Sequence, residues 1–467
     1  MTWPRRLALL FAGDLVARAL SFLAFVHLAR VLGVADYGVL EFAITAIAYV
    51  SLAADGGLEV WATGEVARGR DPRELAAKVL PLRLTLAVFV FGALLAALSL
   101  FPGPATLGRL LAAYGATLFT QATGLRWVFM GRERSAAVAT GATLTNAVFA
   151  LGVVLLVDGP TAILWVPVLR VTGDLAATTY FLSLFLIQYG PRWPAPTLRG
   201  TLAILRPALT LGAALTLGLL SYNVSSILLW FLQGPTAVGL YGAASKPVTI
   251  PLALSVTYFL ALYPALARAH ADTLEAFKRE VTRSLRVASL VVPPFGVATT
   301  FLAEPITDLL FGPAYAASAP ALRILGWSAV LVVLRSTYRH GLTAAGRARL
   351  DLYCAGGASA VNVGLNLLLI PTYGITGAAL ATVTAEAAWL TAAAHCFRRN
   401  VLAVDLAPLL TGPLAGAAVM AAWLLLAQAV PWPLRGIAGA GIYGGVVLLV
   451  GTPRRRLAAR APSVRAP

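Results

Sequence analysis

Apolar positions in this chain do not alternate with polar ones. They form long unbroken runs closed by charged residues or by Gly/Pro turns. The runs fall near 7–29, 38–60, 79–101, 107–129, 136–157, 161–187, 202–232, 238–264, 284–303, 320–344, 351–370, 374–397, 407–429 and 434–451, fourteen in all. Each approaches the ~20 residues a helix needs to cross the hydrocarbon of a bilayer. A β-barrel would show segments of ~10 residues with alternating polarity instead. The predicted fold class is therefore an all-α polytopic membrane protein with about 14 transmembrane helices. The first run contains Asp14 and Arg18 and is too long for the core of a signal peptide, so it reads as a retained span.

Composition supports that reading. Of 467 residues, 59% are apolar and 12% charged, which leaves too little polar surface to cover a soluble globule. The 36 basic residues outnumber the 19 acidic ones, for a net charge of +17. In a soluble chain such an excess would point to nucleic acid, but here its placement decides. Basic residues gather in every second loop: Arg68, Arg70, Arg73, Lys78 and Arg83; Arg132 and Arg134; Arg192, Arg199 and Arg206; Arg268 through Arg286; Arg347 and Arg349; Arg398 and Arg399; and the tail Arg454–Arg465. The intervening loops hold little beyond Arg109, Arg323 and Arg435. The positive-inside rule then puts both termini on the cytoplasmic side of the cytoplasmic membrane and accounts for the charge with no nucleic-acid partner. The tail itself reads either as a solvated end or as a contact for anionic membrane lipids.

A weak repeat organises the runs. Tyr37-Gly38 and Tyr241-Gly242 each stand at the entry of the second helix of a six-run set. The expected domains are a six-helix lobe over 1–190, a second over 191–400, two additional helices over 401–451 and a basic tail over 452–467. The second lobe includes an amphipathic surface helix near 270–283, where Leu274, Phe277 and Val281 recur at helical spacing.

Four segments, in order along the chain, carry a more specific resemblance: ARVLGVADYGVLEFAITAIAYVSLAADGGLE from Ala29, VGLYGAASKPV from Val238, FGPAYAASAPALRILGW from Phe311 and NLLLIPTYGITGAALATVTAE from Asn366. They resemble the polysaccharide-export and oligosaccharide flippases of the multidrug/oligosaccharidyl-lipid/polysaccharide exporter superfamily. The resemblance implies two six-helix lobes in a V plus two C-terminal helices. It also implies flipping of a polyprenyl-diphosphate-linked oligosaccharide by alternating access, for surface polysaccharide biosynthesis. A polysaccharide polymerase and glycosyltransferases would be partners in that pathway. The alternative within the superfamily is an ion-coupled drug or metabolite exporter.

A diphosphate crossing the bilayer needs a wet, cationic path, and Arg suits it because guanidinium keeps its charge at depth and grips phosphate bidentately. Candidate residues are thus the charges inside runs. Arg18 leads, since the resemblance places a basic residue on the cavity face there; Arg126, Arg170, Lys246 and Arg335 follow. Asp14 and Asp174 stand four residues from Arg18 and Arg170, so each pair reads as a substrate site or as a static salt bridge. Asp55 and Glu59 repeat that spacing with like charges, which suits coupling to a proton or sodium gradient, or a solvated helix end. Gln121 and Asn223 are candidate sugar contacts, or bridges between helices.

No catalytic residue, metal site or cofactor is expected, and no enzyme activity. Cys354 and Cys396 lack a CxxC spacing, the four His are scattered, and the GxGxxG match at Gly439–Gly444 lies in an apolar run with no βαβ unit.

Overall fold

The computed structural model describes residues 3–100, 103–191, 194 and 198–451, with side chains from residue 15 except at 195–199, 202, 213–222, 260 and 451. Helices are the regular structure throughout the described residues. Contacts divide the chain into two compact units, Met1–Gly242 and Ala243–Pro467.

The first unit holds α1 (Trp3–Asp55), α2 (Leu58–Ala67), α3 (Pro72–Leu100), α4 (Ala105–Gly115), α5 (Thr117–Thr123), α6 (Arg126–Gly131), α7 (Ser135–Leu156), α8 (Trp165–Tyr189), α9 (Leu198–Ala203) and α10 (Leu205–Gln233). It also holds the start of α11 (Pro235–Asp272), which continues into the second unit. There follow α12 (Leu274–Val291), α13 (Pro293–Phe311), α14 (Ala319–Ala344), α15 (Ala348–Asn400), α16 (Ala407–Leu426) and α17 (Trp432–Gly451).

Among the described residues, nine helices are long and apolar enough to cross a membrane. Broken elements explain most of the gap between that number and about 14. α1 is interrupted at Gly33 (φ 76°) and α15 at Gly374 (φ 54°), so each 53-residue element comprises two spans. Positive φ is open to glycine without a Cβ penalty, and one residue then does the work of the loop expected near 30–37. The fourth run is not one helix but α4, α5 and α6 in series. α8 and α10 add two more elements of spanning length, 25 and 29 residues.

The cores are built from the faces these helices share. In the first unit Leu58, Val66, Val79, Trp127, Phe129 and Phe185 are buried together. In the second, Phe277, Val281 and Leu285 of α12 pack with Leu266, Tyr338 and Phe397. Thr273 caps α12 by accepting from the Ala276 N–H at 3.1 Å, and the helix runs on to Val291, well beyond the expected end near 283. Its other face exposes Lys278, Arg279, Arg283 and Arg286, while Phe277, Val281 and Leu285 sit in the core of the unit and Leu274, expected on the same apolar face, is exposed.

The fold-back of α15 has a direct test. Cys354 and Cys396 are free thiols 42 positions apart, yet their sulfurs approach to 3.7 Å. On a continuous helix they would lie about 63 Å apart. A short bifunctional thiol reagent such as dibromobimane should bridge the two and give the fluorescent product, and Cys354→Ala or Cys396→Ala should abolish it. Two separately labelled, unbridged thiols would contradict the reversal at Gly374.

Candidate substrate cavity

Where α4, α5 and α6 interrupt the fourth run, backbone groups lose helical partners and must find others. Thr117 and Thr120 return their hydroxyls to the carbonyls of Tyr114 and Thr117, at 2.6 and 2.9 Å. Gly124, extended at ψ 134°, offers its carbonyl to Arg83 Nη1 at 3.3 Å. Around this break lies a cavity of about 370 Å³ inside the first unit. That volume falls in the range of small-molecule sites.

Its walls come from six helices. α7 contributes Thr145 and Asn146, α8 contributes Arg170, Asp174 and Thr178, α5 contributes Gln121, and α6 begins with Arg126. α2 supplies Glu59 and α3 supplies Arg83. α7 and α8 come close because Gly173 lies against the Thr145 carbonyl and Gly141 against the Phe181 ring. The lining therefore carries three guanidinium groups and two carboxylates, a net positive balance.

The charges are paired unequally. Arg170 Nε stands 3.4 Å from Asp174 Oδ1, one turn apart on α8. Arg83, only 4% exposed, places Nη2 3.0 Å from Asp55 Oδ1 and 3.7 Å from Glu59 Oε2. Arg126, more than half exposed, has Nη1 3.8 Å from Glu59 Oε1. A separate void of about 10 Å³, enough for one water, lies beside Ser51, Asp55, Arg83 and Gln121.

Two expectations change here. Asp55 and Glu59 do not share the face of one continuous helix: α1 ends at Asp55, Gly56 and Gly57 both take positive φ, and Glu59 begins a new helix. Asp55 Oδ2 accepts from the Glu59 N–H at 3.3 Å, capping that new helix, and both carboxylates meet at Arg83. Arg83 is not a loop residue but a buried side chain of α3. Its appearance a few residues after Lys78 hid it within a basic stretch; its place inside the 79–101 apolar run was the available signal.

The remaining candidates lie elsewhere. Arg18 is exposed on α1, and the side chain of Asp14 lies outside the described residues, as does the tail Arg454–Arg465. Asn223 on α10 hydrogen-bonds Tyr49 of α1. Lys246 is half-buried on α11. In the second unit Arg335 is buried, its Nε donates to Glu386 Oε2 at 2.9 Å, and its guanidinium lies 3.5 Å over the ring of Trp389. Trp389 Nε1 in turn donates to Asp351 Oδ1 at 3.2 Å, and Asp351 pairs with Arg339 at 3.4 Å.

This fold is known from solved structures. The chain is similar to the lipid II flippase MurJ in an inward closed conformation, at 14% identity and a TM-score of 0.79, over 97% of this chain and 100% of that one. It is also similar to an inward-facing multidrug resistance MATE family transporter of the MOP superfamily, at 15% identity and a TM-score of 0.68, over 84% and 98% of the two chains. These likenesses show the fold that the chain adopts.

Among curated proteins, the uncharacterized membrane protein YabM of Bacillus subtilis is 28% identical over 47% of this chain and 45% of its own length. The uncharacterized membrane protein MJ1068 of Methanocaldococcus jannaschii is 32% identical over 20% of this chain. This chain spans 18% of MJ1068 and under half of YabM. Residues 5–270, more than half of the chain and all of the helices that wall the cavity, match the family described as polysaccharide biosynthesis protein, Polysacc_synt, and the chain, a multi-pass membrane protein, belongs to that family.

Proposed function

We propose that this chain flips a polyprenyl-diphosphate-linked oligosaccharide across the cytoplasmic membrane by alternating access, with both termini in the cytoplasm. The observation that carries the reading is the gathering of Arg83, Arg126 and Arg170 around one cavity inside apolar helices. Buried guanidinium is expensive in a membrane unless a partner or a ligand meets it. Arg126 and Arg170, the two more exposed of the three, are the groups for the diphosphate. Gln121, Asn146 and Thr178 present amide and hydroxyl groups beside them, suited to sugar hydroxyls. At about 370 Å³ the cavity takes the diphosphate and the first sugar, and the rest of the glycan lies beyond it.

An exporter of cationic drugs would want an acidic excess in its cavity, and the lining here has the opposite balance. Polymerase and glycosyltransferases of the same pathway would consume and supply the substrate. If a proton or sodium gradient drives the cycle, Glu59 and Asp174 are the carboxylates at the cavity wall.

The test is flipping of a labelled polyprenyl-diphosphate oligosaccharide in proteoliposomes. Arg126→Ala and Arg170→Ala together should slow it by about 100-fold or more, as removal of two charge-assisted contacts implies. Arg398→Ala at the exposed end of α15 should leave the rate unchanged. A wild-type rate in the double variant would overturn the assignment.

A further inference from the structure

The diphosphate reading leaves one feature unexplained: a carboxylate stands among the guanidinium groups that would hold an anion. Glu59 places one oxygen toward each of two arginines, Oε2 toward Arg83 at 3.7 Å and Oε1 toward Arg126 at 3.8 Å. Both separations exceed hydrogen-bond length, whereas Asp55 holds Arg83 at 3.0 Å. Asp55 is thus the fixed partner of the buried arginine, and Glu59 is a loosely held bridge. About a third of its side chain is exposed, and it lines the cavity. Its backbone is pinned by the Asp55 cap at the start of α2, just after the two positive-φ glycines, so the carboxylate has a fixed root and a free end.

From this geometry, and resting on the diphosphate reading above, we propose that Glu59 is a stand-in anion that occupies Arg126 while the cavity is empty and sets the charge a ligand must carry to enter. A bridging carboxylate offers one oxygen to each cation, as a phosphate would. When a phosphate reaches Arg126, the arginine exchanges partners and Glu59 closes on Arg83, where an ordinary 2.7–3.0 Å contact is still to be made. The exchange has a threshold. A ligand with a single negative charge replaces the carboxylate on Arg126 at no electrostatic gain and meets repulsion from the displaced Glu59. A diphosphate brings a second charge that Arg170 can take. Glu59 therefore discriminates a ligand that brings two negative charges from one that brings a single charge.

The experiment is equilibrium binding of inorganic pyrophosphate and of orthophosphate to the purified full chain in detergent at about pH 5.5, below the second ionisation of phosphate, where orthophosphate is mainly a monoanion and pyrophosphate a dianion. Wild type should prefer pyrophosphate. Glu59→Gln, which keeps size and removes charge, should tighten orthophosphate by roughly five- to tenfold and pyrophosphate by less, so that the preference shrinks. Arg126→Ala should lose both ligands, and Glu59→Ala serves as the second variant should the glutamine form fail to fold. Unchanged or weaker binding of both anions in the Glu59 variants, with Arg126→Ala still losing them, would overturn the stand-in role and leave the diphosphate site intact. No binding of either anion to wild type or to any variant would overturn the diphosphate reading and the stand-in role together. Anion binding that appears only in the Glu59 variants would support the stand-in role in its strongest form.

Discussion

Arg83→Ala should be the most destabilising single substitution in the first unit. The guanidinium is 4% exposed, lies 3.0 Å from Asp55 and 3.7 Å from Glu59 as an ion pair with each, and donates to the Gly124 carbonyl that the broken fourth span leaves without a helical partner. Truncation strands the Asp55 carboxylate, leaves Glu59 with Arg126 alone and orphans that carbonyl. Breaking a buried pair by removing one partner costs about 3–5 kcal/mol. Purified protein should therefore unfold at a clearly lower temperature in detergent, with Arg126→Ala, whose side chain is over half exposed, close to wild type in the same measurement. Removing both ends of the pair is a different perturbation. Arg83→Met combined with Asp55→Leu should recover much of the loss, since an apolar replacement of a whole buried pair is often neutral. An Arg83→Ala protein that melts with wild type would show that the α1–α2–α3 junction does not depend on the charge.

How much of this site could be read from the sequence follows from which signals survive a broken helix. Arg170 and Asp174 lie on an unbroken α8, so four-residue spacing correctly put them in contact. Asp55 and Glu59 have the same spacing, but Gly56 and Gly57 turn the chain between them, and what unites them is Arg83 from another helix. Such a meeting is a tertiary fact that no local period encodes. The fourth run reads as one apolar stretch because hydropathy is blind to φ and ψ; that it is three short helices, and that its break opens a cavity, depends on the neighbours that satisfy the freed backbone. In the second unit Arg335 was legible as an in-span charge, and Glu386 fifty-one positions later as another, yet only the folded α14 and α15 bring them to 2.9 Å. The membrane class, the spans and their approximate ends were legible because 20-residue apolar runs leave few alternatives. The roles of individual charges were not.

The two Tyr-Gly segments that suggested an internal repeat carry the second large prediction. They pack directly on each other within the first unit. A Cβ on Gly38 would overlap the carbonyl of Pro235, and one on Gly239 would overlap the carbonyl of Val34, so each glycine admits the backbone of the other segment. Small residues at a crossing let membrane helices approach closely where the hydrophobic effect between them is weak. Phe42 stacks on Trp230 at 4.2 Å one turn further on, and Gly57 meets Ala208 and Gly212 at the far end, roughly 28 Å along α1. Close backbone contact at both ends thus fixes this length of α1 to α10 and α11. Replacing a helical glycine with alanine normally stabilises by about 0.5–1 kcal/mol. Gly92→Ala, on α3 with open space around it, should follow that rule. Gly38→Ala should reverse it, because the added methyl cannot be accommodated by a side-chain rotation when the opposing atom is a backbone carbonyl; overpacking of that kind costs about 1–3 kcal/mol. Gly38→Val should go further, lowering the unfolding temperature and stopping flipping, while Gly92→Val retains transport. If thermal unfolding ranks Gly38→Ala with Gly92→Ala, the two repeated segments are not in contact in the membrane, and the packing that joins α1 to α11 must be discarded.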